Sequence, residues 1–165
     1  MQNTGHMPAD SLPVVLRRHA PLAAAVLAAL GLAACGGGSG EEDYKDDFPP
    51  LSREIVSLGR EVGESIENAG ESSDRELAGD FAGFATELGD IHRELDELEP
   101  PDDLADEQDA LSSAIGEVHG SLEDIADAAE ESDPDAARQA TIELIQRSEE
   151  LRETRRALAL AVREL

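Results

Sequence analysis

The chain has 165 residues, 38 acidic against 13 basic (12 Arg and the single Lys45), and a formal charge of −25; without clustered Lys and Arg to hold phosphates, nucleic acid is excluded as a partner. Aromatics are 2% and Trp is absent, which removes the stacking platforms and aromatic cages of many ligand sites. One cysteine excludes an intrachain disulfide and a cysteine-clustered metal site, and only periodicity in the 40% apolar residues can separate this composition from that of a disordered acidic chain.

In chain order, Arg17 and Arg18 form a basic segment, followed by the uncharged run Leu22 to Ala34. The run is shorter than the roughly 20 residues of a transmembrane helix and has the length of a secretory signal's apolar region. It ends in Leu32-Ala33-Ala34-Cys35, followed by Gly36-Gly37-Gly38-Ser39-Gly40. That tetrapeptide resembles the lipobox of bacterial lipoproteins, with the basic segment, apolar run, small residues, Cys and flexible stretch in the required order. The resemblance implies that the Cys35 thiol carries a diacylglycerol, that cleavage follows Ala34, and that the chain is held at the extracytoplasmic face of the cell membrane. Two acyl chains suffice for stable anchoring. His19-Ala20-Pro21 does not continue Arg17-Arg18 in the manner of a twin-arginine signal, so ordinary secretion is preferred. The 16 residues before Arg17 are long for a basic segment, which points to a true start at Met7 or near Val14.

Removal of residues 1–34 takes away Asp10, Arg17 and Arg18 and leaves 37 acids against 11 bases, a charge of −26. Residues 35–47 then read as the lipidated Cys35 and a Gly-rich, acidic linker. Treated as a flexible coil, its residues 36–47 span roughly 20 Å root-mean-square.

From Phe48 to the end, apolar residues repeat at heptad spacing in four stripes. The first is Phe48, Leu51, Ile55, Leu58, Val62 and Ala69, broken by Ser65; the second is Leu77, Phe81, Phe84, Leu88, Ile91, Leu95 and Leu98. The third runs Leu104, Leu111, Ile115, Val118, Leu122, Ile125 and Ala129, with Gln108 as its polar insertion. The fourth, Ala137, Leu144, Leu151, Leu158, Val162 and Leu165, is weakened by Thr141, Ser148 and Arg155. Such stripes belong to amphipathic helices. Ser73-x-x-Glu76 is a capping box, and Pro100-Pro101 and Ser132-Asp133-Pro134 stop one helix and open the next. The expectation is an all-α fold: an antiparallel up-down-up-down four-helix bundle over residues 48–165, with helices at about 50–69, 74–98, 103–131 and 134–164.

Glu99-Pro100-Pro101-Asp102-Asp103-Leu104, continuing to Leu111, resembles the hinge of small acidic helical lipoproteins of high-GC bacteria. Similar sequences often carry His where this chain has Gln108. The resemblance implies a helical bundle at the envelope and supplies no activity.

No basic residue lies between Arg93 and Arg138, while Glu99 to Asp135 holds 14 acids. Asp102, Asp103, Asp106, Glu107, Asp109, Glu117, Glu123, Asp124 and Asp127 therefore form a candidate interaction surface for a protein or cationic partner. The fourth helix carries six arginines, and equal counting from a turn at Asp133 brings Arg138 near Asp127, Arg147 near Glu117, Arg156 near Asp109 and Arg163 near Asp103. Exposed pairs contribute about 0–1 kcal/mol each, yet together they select neighbour and register. Gly89 and Gly116 stand three residues before His92 and His119, so the Glu-x-x-His pairs of a di-iron bundle are missing. A turn near Pro101 places His92 opposite position 109 and the two histidines roughly 15 Å apart. Haem, phosphate-loop, nucleophile-elbow and EF-hand spacings are also missing. Gly59/Gly63, Gly79/Gly83 and Gly116/Gly120 repeat at i, i+4 away from the core positions. The expected function is a membrane-anchored, non-catalytic binding or interaction module without a metal or cofactor. The alternative is a helical bundle binding a small ligand or divalent cation, and an enzyme is third.

Overall fold

A computed structural model describes residues 39–165; Ala34, Cys35 and the segment before them, on which the signal and lipidation expectations fall, lie outside the described residues. Four helices pack against one another: α1 (Ser39–Asn68), α2 (Asp74–Glu97), α3 (Ala105–Glu130) and α4 (Pro134–Glu164), with no strand among the described residues. Each is amphipathic, and the apolar stripe of each turns inward. Phe48 from α1, Leu88 and Leu95 from α2, Leu111, Ile115 and Leu122 from α3, and Leu144 and Leu158 from α4 are all but sealed from solvent. Each such side chain stabilises by roughly 1.5–3 kcal/mol on burial.

Local chemistry sets the helix ends. The Ser73 backbone N–H donates to Glu76 Oε2 at 2.9 Å and the Glu76 N–H to Ser73 Oγ at 3.3 Å, closing the capping box that opens α2. Those bonds, the Ser73 backbone N–H first and its hydroxyl second, hold the Glu76 carboxyl below its ordinary range. At α4, Asp133 Oδ1 accepts from the N–H groups of Asp135 and Ala136, both at 3.0 Å, and Pro134 occupies the first turn. Ser132 turns the chain between α3 and α4 with φ 54°, a left-handed conformation that favours glycine.

Of the stretch 36–47 expected as a tether, residues 39–47 differ from that expectation: α1 begins at Ser39 and takes them in. The cause is Tyr44, which is 2% exposed and stacks on Phe48 with ring centroids 5.8 Å apart and planes 4° from parallel. Its hydroxyl donates to Gln108 Oε1 at 2.7 Å. The core stripe thus starts one turn earlier than Phe48. Pro49 and Pro50 lie inside α1, and neither has the N–H that would donate to the carbonyls of Lys45 and Asp46, a loss that ordinarily breaks or kinks a helix. Burial of Tyr44 and Phe48 before the prolines and of Leu51 after them offsets it.

Gln108, the polar insertion in the third stripe, is itself buried. While its Oε1 receives Tyr44, its Nε2 donates to the carbonyls of Leu95 at 3.2 Å and Leu98 at 3.3 Å. Carbonyls in the last turn of α2 lack helical partners, so one amide joins the start of α1, the end of α2 and the body of α3.

Helix α3 lies against both α2 and α4 and buries more residues than any other. Helix α1 packs more loosely, and most loosely of all against α4. No helix among the described residues is long and apolar enough to cross a membrane.

Candidate functional site

The loose seam between α1 and α4 opens into a cavity of about 330 Å³, at the lower end of the range of small-molecule sites, roughly 300–1,000 Å³. Ile55, Leu58 and Val62 of α1 form one wall, Leu144 and Leu151 of α4 the other, and Leu88, Val118 and Leu122 of α2 and α3 the floor. Gly59 lines the mouth, and a Cβ added there would meet nothing within 4 Å. The polar lining is cationic or neutral: Arg60, Arg152, Arg155 and the hydroxyl-bearing Ser148. In a chain with 38 acids, no carboxylate lines this cavity among the described residues.

Arg155 is the unusual member. It occupies a core position of the fourth stripe and is half-buried, and its Nη1 donates to the hydroxyl of the buried Ser52 at 3.0 Å. Arg147 is the other half-buried arginine among the described residues, and it is neutralised by Glu117 at 2.8 Å. Arg155 forms no ion pair there. Desolvation, and secondarily the adjacent Arg156 charge, push its pKa below the ordinary guanidinium value. Arg152 pairs with Glu149 at 2.9 Å on the exposed side, and Arg60 Nη2 donates to Ser57 Oγ at 3.1 Å.

The three polar residues that weaken the α4 stripe all line gaps. Ser148 and Arg155 face the large cavity, and Thr141 lines a second space of about 150 Å³ with Ile66, Leu77, Phe81 and Ile125. Their appearance at core positions was the signal in the sequence. Its meaning depended on α1 standing opposite, which heptads alone do not reveal.

The acidic surface lies elsewhere. Asp102, Asp103, Asp106, Asp109, Glu117, Glu123, Asp124 and Asp127 are exposed and Glu107 is half-buried, on the outer side of α3 and of the short turn before it. None of them reaches the cavity. Of the four arginine pairings expected by counting, Arg147 with Glu117 forms, whereas Arg138 turns to Asp135 on its own helix at 2.8 Å. Arg156 and Arg163 form no ion pair among the described residues.

The histidines correct the expected register. A Cβ at Gly116 would lie 3.9 Å from His92 Cε1, and one at Gly89 would lie 3.4 Å from His119 Nε2. His92 therefore sits over Gly116 instead of near position 109. Gly89 and His92 are three residues apart, so the rings are separated by roughly 4.5 Å along the axis rather than 15 Å. His92 Nε2 lies 2.6 Å from Ser112 Oγ, which donates to Asp96 Oδ1 at 3.0 Å; with the hydroxyl proton so used, Nε2–H is the donor. A nucleophilic triad needs the imidazole between hydroxyl and acid, and here the hydroxyl is in the middle. His119 Nδ1 is 3.4 Å from Glu123 Oε2. No three His, Cys, Asp or Glu side chains among the described residues are grouped to hold a metal.

The chain matches no family model, and no curated protein or solved structure is significantly similar to it.

Proposed function

We propose that the chain is a lipid-anchored, extracytoplasmic lipoprotein whose helical body is a non-catalytic binding module with its site in the α1–α4 cavity. Leu32-Ala33-Ala34-Cys35 supports the anchor. The observation that carries the binding reading is an aliphatic cavity of about 330 Å³, rimmed by arginines, at the loosest seam of the bundle. An up-down-up-down antiparallel order is the arrangement that fits the α2–α3 contacts: Gly89 to His119, His92 to Gly116 and Asp96 to Ser112, in which one number rises as the other falls.

The test is titration of the mature chain carrying Cys35→Ser with an apolar fluorescent reporter. Saturable uptake of one reporter per chain is expected. Gly59→Leu puts a side chain at the cavity mouth and removes a helical glycine worth about 1 kcal/mol, so it should block uptake while leaving the unfolding midpoint equal or higher. A folded chain that takes up no reporter overturns the reading.

The exposure of the α3 carboxylates favours a second surface, one that docks a protein partner bearing positive charge. In-cell crosslinking compared with Asp102→Asn, Asp106→Asn and Asp109→Asn combined tests it. A partner captured equally by both chains rules that surface out.

A further inference from the structure

We infer that the α1–α4 cavity takes a fatty-acid anion, with one alkyl chain along the aliphatic trough and its carboxylate on the Arg155 guanidinium; this rests on the cavity being the binding site. Four observations converge on that ligand class. The walls and floor are Leu, Ile and Val with no aromatic ring, a lining suited to a flexible hydrocarbon rather than to a flat ring that would stack. At about 330 Å³ the cavity is at the small end of ligand sites, which favours one chain over two.

The polar lining selects the sign of the head group. Arg60, Arg152 and Arg155 face the cavity and no carboxylate does among the described residues, so a cation is disfavoured there despite the overall charge of −25. That distant charge is screened beyond roughly 8 Å at physiological salt, whereas a half-buried guanidinium acts at contact distance.

Arg155 has the donors to spare. A guanidinium carries five N–H groups in a planar fork that matches a carboxylate in bidentate fashion, and here one bond goes to Ser52 Oγ while no carboxylate among the described residues is paired with it. A ligand carboxylate would supply the missing countercharge to a desolvated cation, and charge-assisted pairs of this kind are the strong ones. Gly59 leaves the mouth open for entry.

The test is displacement of the bound reporter from the mature Cys35→Ser chain by dodecanoate, dodecanol and dodecyltrimethylammonium, each below its aggregation threshold. Dodecanoate should displace it at one per chain, with the neutral and cationic analogues weaker by at least about tenfold, the loss of one charge-assisted pair. Arg155→Gln keeps a donor for Ser52 and should weaken dodecanoate by at least about tenfold with dodecanol unchanged; Arg163→Gln, remote from the cavity, should change nothing. Far-UV circular dichroism checks that each variant folds, and Gly59→Leu, which alters no charge, should exclude dodecanoate altogether. Dodecanol binding as tightly as dodecanoate, or an Arg155→Gln chain that keeps full affinity, overturns the anionic ligand while leaving the cavity as the site. Stronger displacement by phosphatidylglycerol vesicles than by dodecanoate overturns the single-chain ligand. Failure of the reporter itself to bind overturns both readings.

Discussion

Tyr44 and Gln108 form a buried polar pair whose two halves are 64 residues apart in sequence. A glutamine at a core heptad position is costly unless all its groups are satisfied, and here the oxygen takes the Tyr44 hydroxyl while the nitrogen reaches two carbonyls at the end of α2. The insertion was visible in the sequence. Its partner was not, because Tyr44 stands among six charged neighbours, five of them acidic, and before two prolines, and so reads as linker. Burial pushes the Tyr44 phenol above its ordinary value of 10.0, which makes it a probe of the same contact. In the unfolded chain the phenol begins to ionise near pH 10, while in the fold it keeps its proton. The stability it contributes is thus complete below pH 10 and declines as pH rises beyond that value. With one Tyr and one Lys in the whole chain, the alkaline limb of stability against pH should be dominated by this group. Tyr44→Phe should flatten that limb and lower stability at pH 7 by about 1 kcal/mol, the worth of one hydrogen bond. Denaturant unfolding from pH 7 to 11 measures both, and an unchanged alkaline slope in Tyr44→Phe counts against the buried phenol.

Among the helices, ends fixed by adjacent residues were legible and ends fixed by distant ones were not. Ser73-x-x-Glu76 and Asp133-Pro134 each carry their own caps, and the bonds they imply are present. The start of α1 escapes such reading because Pro49 and Pro50 suggest a boundary, and only the docking of Tyr44 against α3 overrides them. Glycines divide in the same way. Gly79 and Gly83 face open space, whereas Gly89 and Gly116 accommodate the rings of His119 and His92. Spacing grouped Gly116 with Gly120, but Gly120 also faces open space. Replacing Gly79 or Gly83 by Ala should raise stability by up to about 1 kcal/mol each through helix propensity alone. Gly89→Ala gains less, since its methyl group would meet His119 at 3.4 Å. Thermal unfolding of the three single variants decides this, and a destabilised Gly83→Ala would show that its face is covered.

Across the molecule, charge divides into an acidic outer face on α3 and an arginine-lined seam between α4 and α1. The first was legible because 14 acids run from Glu99 to Asp135 without a base. The second depends on which helix lies across from Arg155, and α1 and α4 are the pair furthest apart in the chain, so nothing local encodes their meeting. The same seam is the least filled, and its cavity follows from that looseness. On the proposed lipid anchor, Cys35→Ala should move the chain from the membrane fraction to the soluble extracytoplasmic fraction, as fractionation followed by immunoblotting would read out; continued membrane retention by Cys35→Ala would count against the thioether. The early start of α1 then fixes how far the body travels. Ser39 is four residues from Cys35, a reach of at most roughly 14 Å at full extension, where a coil through residue 47 would have swept much farther. Were Cys35 to carry the proposed lipid, a helix from Ser39 would make a short leash, holding the bundle beside the bilayer and within reach only of partners that come to the membrane surface.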